Sequence, residues 1–230
     1  VPDIENPFFS ELAKAVEDMA YQNGYRILLC SSGGDEEKEA VNIQMFNQLR
    51  ADGIVVMTNC AETGKVLADC PIPVVLVDRK LDGLKENALI EADNYKGGCL
   101  AAEHLVKCGC KNIVCMKEPT GYSSGRRRYE GYLDVCKNYN LKEQSVDCRY
   151  NYESGLRAAE EILKKYPEVD GVVAGNDIVA MSVYKVFTRH GKKIPQEVQL
   201  VGFDDVGFGE LFIPELTTIH QPIKEMGHLA

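Results

Sequence analysis

The sequence predicts an α/β protein made of doubly wound parallel sheets, and three observations predict it. Short apolar runs alternate with amphipathic helical stretches along all 230 residues. The runs Ile54-Val55-Val56-Met57, Val74-Val75-Leu76-Val77 and Gly171-Val172-Val173-Ala174 are apolar without interruption, as strands buried on both faces are. The residues just after such runs are unusually rich in carboxylates, amides and arginine.

Taken in order, Phe9, Leu12, Ala13, Val16, Met19 and Ala20 repeat at helical spacing, and Asn23-Gly24 ends that helix. Tyr25 to Cys30 reads as a buried strand. A helix over residues 36–50, a strand over 53–57, a short helix over 64–68, and strands over 74–77 and 88–91 follow. Further helices are expected over residues 95–107, 124–138, 153–165 and 178–190. Strands are expected over 112–116, 146–149, 172–174 and 199–203. Strand–helix–strand repetition gives parallel pairing through helical crossovers. A closed β/α barrel is the main architectural alternative. No low-complexity linker and no exact internal repeat breaks the pattern.

Composition narrows the function. Hydrophobic residues make up 45% and charged residues 27% of the chain, ordinary values for a globular protein that buries a real core. No apolar run approaches the roughly 20 residues that span a bilayer, and Val1-Pro2-Asp3 does not open a signal peptide. A soluble chain with no membrane partner is expected. The net charge of −9 lacks the positive field that draws proteins to phosphate backbones, so direct DNA binding by this segment is not expected. Nine cysteines, an odd number, sit mostly inside apolar runs, which favours reduced core thiols and a cytoplasmic location over a disulfide framework. There is no C-x-x-C pair, and no metal site is expected.

Ligands of parallel sheets bind at the carboxyl ends of the strands. At those ends stand Asn6-Pro7-Phe8-Phe9, Asp78-Arg79, Asp93-Asn94, Asn176-Asp177, Asp204-Asp205 and Gln221. Carboxylate and amide oxygens accept a sugar hydroxyl's proton, while arginine and amide nitrogens serve its lone pairs. Phe8 and Phe9 offer aromatic faces to ring C–H groups, although a Phe pair at a helix start can equally be a core anchor. Gly97-Gly98 and Ser31-Ser32-Gly33-Gly34 fit no phosphate-loop pattern, and no cofactor is expected. The four histidines supply no nucleophile–base–orienter set, and Asp204 and Asp205, as neighbours on an extended segment, point apart instead of forming an acid/base pair. A binding protein is expected, with a carbohydrate-processing barrel enzyme as the remote alternative.

These residues carry a family likeness. Residues 202–222, GFDDVGFGELFIPELTTIHQP, closely resemble the sugar-binding core of the lactose and galactose repressor family, and within it are most similar to ribose operon repressors. Asn6-Pro7-Phe8-Phe9, residues 72–79, Asp93-Asn94 with Gly97-Gly98, GRRRYEGY at 125–132 and Gly175-Asn176-Asp177 match further motifs in the family's order. The resemblance implies two similar doubly wound lobes of the type I periplasmic-binding-protein kind, with the ligand in the cleft between them. The N-terminal lobe would be residues 1–93 plus 222–230 and the C-terminal lobe 94–221, with crossings near Asp93-Asn94 and Gln221-Pro222. It also implies a helix-turn-helix DNA-binding domain before this segment and a further strand and helix after it.

Carried over motif by motif, the implied ligand contacts are Phe8, Phe9, Asp78, Arg79, Arg128, Asn176, Asp204 and Gln221, with Asn6 as an extra hydroxyl contact. Arg128 is chosen from Arg126-Arg127-Arg128 because the family's arginine stands three residues before the helix glycine, here Gly131. Tyr150 falls where relatives present an aromatic wall, without a tight motif to anchor it. The implied protein is a repressor, a homodimer that meets operator DNA through the missing domain and is controlled allosterically by ribose or a similar pentose. Sugar phosphates rank second as effector, and a periplasmic sugar carrier is the nearest alternative.

Overall fold

A computed structural model describes residues 1–58, 60, 62–81, 88–119 and 121–230 of the chain. The residues form two compact units, Val1–Ala92 with Pro222–Ala230, and Asp93–Gln221.

The first unit opens with α1 (Pro7–Gln22). Asn6 starts it by accepting the Phe8 N–H on Oδ1 at 3.1 Å, and Pro7 takes the first helical position, where a missing N–H costs nothing. Asp35 caps α2 (Glu36–Gln48) in the same way. β1 (Ile54–Val56), α3 (Thr63–Ala68), β2 (Val74–Val77) and β3 (Ala88–Ile90) follow, and the strands pair in parallel in the order β1-β2-β3. Ile43, Ile54, Val56, Leu67, Ile72, Val74, Leu76 and Leu81 form the core beneath them.

Residues 25–30 depart from the expected buried strand. They have no regular structure, and Tyr25, Leu28 and Leu29 are exposed. The reason lies in pairing. Val1 lies beside the end of this stretch, its amino group donating to the Cys30 carbonyl at 2.8 Å and its carbonyl accepting the Ser32 N–H at 3.0 Å. Residues 25–29 have no such neighbour among the described residues, and an extended chain becomes a strand only by sharing a ladder. Instead they border a trough of about 560 Å³ lined by Met19, Ile54, Val55 and Val75, among others.

The second unit contains α4 (Asn94–Lys107), β4 (Ile113–Lys117), α5 (Ser123–Asn138), β5 (Ser145–Asp147), α6 (Tyr152–Lys165), β6 (Gly171–Val173), α7 (Asp177–Arg189), β7 (Gln199–Asp204) and β8 (Thr217–His220). A 3₁₀ turn at Gly207–Leu211, not foreseen from the sequence, links β7 to β8. The sheet is parallel throughout, in the order β5-β4-β6-β7-β8. Side chains alternate across it as a pleated strand requires. Val114, Met116, Val172 and Leu200 join the core that includes α6 and α7, whereas Ile113, Cys115, Val173 and Val201 join the one that includes α4 and α5. That double coverage is why these strands read as unbroken apolar runs. The chain then returns to the first unit as α8 (Ile223–Leu229), where a Cβ on Gly227 would meet the Ala15 Cβ at 2.4 Å, so glycine permits the close packing on α1.

All nine cysteines are free thiols. Cys60, Cys110, Cys115, Cys136 and Cys148 are buried and Cys108 is exposed. Burial pushes the thiols of Cys60 and Cys110 up to about 11 and that of Cys148 to about 12.

Helices α4 and α5 meet backbone to backbone. A Cβ on Gly98 would lie 2.0 Å from the Arg128 carbonyl oxygen, and one on Gly131 would lie 2.3 Å from that of Tyr95. Gly97-Gly98 therefore serves a helix crossing, and Gly97 makes room for the Phe203 ring, which a Cβ would approach to 2.6 Å. Gly98→Ala is expected to destabilise the second unit by about 1–3 kcal/mol, since its neighbour is backbone that must shift bodily. Urea unfolding followed by circular dichroism measures the change.

Candidate functional site

The polar residues expected from the sequence fall into two sets, one in each unit. In the second unit they gather at the carboxyl ends of β6, β7 and β8 and at the start of α4 and α5, beside the point where the strand order reverses between β4 and β6. Arg128, in the second turn of α5, is buried at their centre. Its Nε donates to Asn94 Oδ1 at 2.8 Å, and its Nη1 donates to the Gly175 carbonyl at 2.7 Å and lies 3.7 Å from Asp204 Oδ1. The Phe203 ring lies beneath the guanidinium, 3.6 Å from centroid to Cζ. Arg126 and Arg127 face solvent instead, paired with Glu130.

Asp204 and Gln221 are joined, with Gln221 Nε2 donating to Asp204 Oδ1 at 2.8 Å. The other amide atom, Gln221 Oε1, is buried and has no hydrogen-bond partner among the described residues. Asn176 is partly committed within the unit: Oδ1 caps α7 by accepting the Val179 N–H at 2.9 Å, and Nδ2 donates to the Tyr150 carbonyl at 3.2 Å. Tyr150 packs closely on Gly175, where a Cβ would come within 1.9 Å of its ring, and its ring centroid lies 5.8 Å from the Arg128 Cζ. Burial raises the Tyr150 phenol above its ordinary range. Asp205 points away to solvent and bonds His220 Nδ1 at 2.8 Å, so the two aspartates do separate work, as their adjacency suggested.

In the first unit, Asp78 closes β2 in a left-handed conformation, φ 72°, with its side chain buried. Oδ2 pairs with Arg79 Nε at 3.0 Å, while Oδ1 is buried without a partner among the described residues. Arg79 Nη1 donates to the Thr58 carbonyl at 3.3 Å, and its Cζ lies 6.0 Å from the Phe9 ring. Phe8 and Phe9 meet edge to face at 5.1 Å, both buried. Asn6 uses its side-chain oxygen to cap α1, which leaves its amide nitrogen for any other duty.

Sequence reasoning missed the Asn94 side-chain oxygen and the Phe203 ring as supports of Arg128, and it gave Asp177, though placed with Asn176 at a strand end, no role of its own. Asn94 stood in a motif already singled out, and Phe203 in the strand before Asp204. Asp177 is fully buried, its Oδ2 accepting the Val206 N–H at 3.0 Å and its Oδ1 the Thr218 hydroxyl at 2.6 Å. Nothing in the sequence distinguishes it from an ordinary first-turn helix acid.

The profile of the family described as periplasmic binding proteins and sugar binding domain of LacI family matches residues 1–230. The chain belongs to that family. A curated relative, the ribose operon repressor of Halalkalibacterium halodurans, is 36% identical over 99% of this chain and 68% of its own length. The Escherichia coli K12 ribose operon repressor is 32% identical over 98% of this chain and 70% of its own. Among solved structures, a periplasmic binding protein/LacI transcriptional regulator from Alkaliphilus metalliredigens, complexed with D-xylulofuranose, is 33% identical, with a TM-score of 0.89 over 100% of this chain and 85% of that one. A LacI family regulator from Enterococcus faecalis V583 with bound ribose is 29% identical, with a TM-score of 0.88 over 100% of this chain and 85% of that one. Membership sets aside the barrel and the enzyme reading together, because LacI-family domains of this kind bind ligands and regulate transcription. Among the described residues no helix is long and apolar enough to cross a membrane.

Burial lifts the Asp177 carboxyl from its ordinary 3.8 to about 6, so the folded state favours the protonated form. Its contribution to stability is full below the unfolded value and is lost as pH rises through about 6. Lowering the pH from about 7 to about 5 should therefore add about 1 kcal/mol to the unfolding free energy from this group. Asp177→Asn should abolish that increment, which urea unfolding of both proteins at the two pH values measures.

Proposed function

We propose that this chain is the sugar-sensing part of a cytoplasmic repressor and that its effector is a pentose, ribose first. The observation that carries the reading is a pair of buried acceptors, Asp78 Oδ1 and Gln221 Oε1, without donors among the described residues. A buried acceptor left unpaired costs about 1–3 kcal/mol, and a ring hydroxyl supplies the missing proton. Arg79 and Arg128 stand beside them to serve the same hydroxyls' lone pairs. Phe8, Phe9 and Tyr150 would pack on ring faces, and Asn6 and Asn176 would add amide contacts.

The two solved relatives described above hold five-carbon sugars. Arg126 and Arg127, the residues that would favour a sugar phosphate, are spent on Glu130, which supports a neutral sugar. Nine free thiols and repressor relatives favour the cytoplasmic regulator over the periplasmic carrier. Calorimetry with ribose, other pentoses, hexoses and purines tests the assignment; binding of hexoses or purines alone would overturn it. Asp78→Ala or Arg128→Ala should weaken ribose binding roughly thirtyfold or more, because each leaves a buried charged partner bare. Lys80→Ala, one residue outside the set, should change it little.

One sugar engaging both sets would select the arrangement of the two units in which both reach it, and that selection is the means of control. The two units, expected to divide at residues 93 and 94 and dividing at Ala92 and Asp93, act as the two lobes. The intact protein is a homodimer that meets two operator half-sites through an attached DNA-binding domain, protein symmetry matching DNA symmetry. Operator affinity of the full-length protein should change on sugar saturation, and operator should change sugar affinity by the same factor. Titration of labelled operator with and without ribose at one fixed salt concentration measures this; unchanged affinity at saturating sugar would remove the sensor role.

A further inference from the structure

We propose that Asp177 is a positioning residue for the sugar site: it fixes the backbone turn after β7 and the place of β8, and thereby sets Asp204 and Gln221 against Arg128. The inference rests on the function proposed above.

The carboxylate is placed for this and has no other evident task. Asn176 caps α7, so Asp177 is not needed there, yet it has no exposed surface. Its two oxygens reach different elements, Val206 N–H in the loop after β7 and the Thr218 hydroxyl on β8. The strand opposite has been cleared for it, since a Cβ on Gly202 would stand 2.2 Å from Asp177 Oδ1.

The bond to Val206 falls two residues beyond the sugar-site aspartate. There the backbone has positive φ twice, 108° at Asp204 and 59° at Asp205, a state that costs energy for a residue with a Cβ even where aspartate tolerates it best, and two in succession are favoured by a hold from outside. Tying the Val206 N–H to a buried carboxylate supplies the hold. The bond to Thr218 falls three residues before Gln221, whose N–H reaches the Asp204 carbonyl at 3.3 Å and whose Nε2 reaches the Asp204 carboxylate. One carboxylate thus fixes both partners of the Asp204–Gln221 pair from behind. Asp205 is the charged neighbour that opposes its ionisation.

A brace that merely stabilised the unit would not control the sugar-site pair, and two variants separate the roles. Asp177→Ala removes both contacts. Asp177→Asn keeps an oxygen for the Val206 N–H and turns an amide toward the Thr218 oxygen. With ribose, calorimetry should show affinity weakened about tenfold or more in Asp177→Ala and largely recovered in Asp177→Asn. Without any sugar, the Gln221 side-chain amide resonances of ¹⁵N-labelled protein should move toward those of solvated glutamine in Asp177→Ala and stay in place in Asp177→Asn. Wild-type affinity in Asp177→Ala, or unmoved Gln221 amide resonances, overturns the inference. Should the wild-type protein bind no pentose, the proposed function fails, and the Gln221 resonances alone decide the positioning role. Should Asp177→Ala not fold, Thr218→Val loses one of the two contacts, and a Gln221 amide that does not move in that variant overturns the inference equally.

Discussion

A guanidinium cannot be left bare inside a protein, and the second unit is arranged around that constraint at Arg128. The charge is accommodated by four groups from three elements: the Asn94 amide at the start of α4, the Gly175 carbonyl after β6, and the Asp204 carboxylate and the Phe203 ring at the end of β7. Each is recruited at a strand or helix end, so satisfying one buried cation fixes the relative positions of α4, α5, β6 and β7. The glycines follow from the same demand. Gly98 and Gly131 bring α4 and α5 close enough for Asn94 to reach the guanidinium, and Gly97 leaves room for Phe203. A buried ion cluster of this kind is weak evidence for stability and better evidence for a defined local geometry.

The two units use one device at their polar ends. A buried aspartate with positive φ follows β2 at Asp78 and ends β7 at Asp204, and each carboxylate meets an arginine. An aspartate tolerates the left-handed region better than most residues, and the turn aims its side chain off the end of the strand. Backbone strain at these two places is therefore concentrated where polar groups converge, in keeping with the general tendency of strained residues to gather at binding sites.

Much of this was legible in the sequence. β2 matched its apolar run residue for residue, and β1, β3 to β7 and the long helices lay within a few residues of their expected bounds, because continuous burial and helical spacing leave strong marks, whereas β8, polar at Thr217, Thr218 and His220, was not among the expected strands. Arg128 was separable from Arg126 and Arg127 by its spacing from Gly131 through a family likeness, and the structure gives the physical reason, that it alone of the three is turned inward. The misses have equally physical causes. Residues 25–30 have strand-like composition, but pairing is a property of neighbours that composition does not record. Asp177 was passed over because a first-turn acid is unremarkable until its burial is known, and the turn at Gly207–Leu211 has no periodicity to find.

The sulfur content has a consequence beyond packing. Thiolate, and not thiol, is the species that attacks peroxides and disulfides, and burial that raises a cysteine to about 11 or 12, as at Cys60, Cys110 and Cys148, leaves almost none of it at neutral pH. The core can therefore carry several sulfurs as small hydrocarbon-like fillers without making the protein fragile during an oxidative episode. That protection comes from burial, and Cys108, exposed just beyond the end of α4, lies outside it.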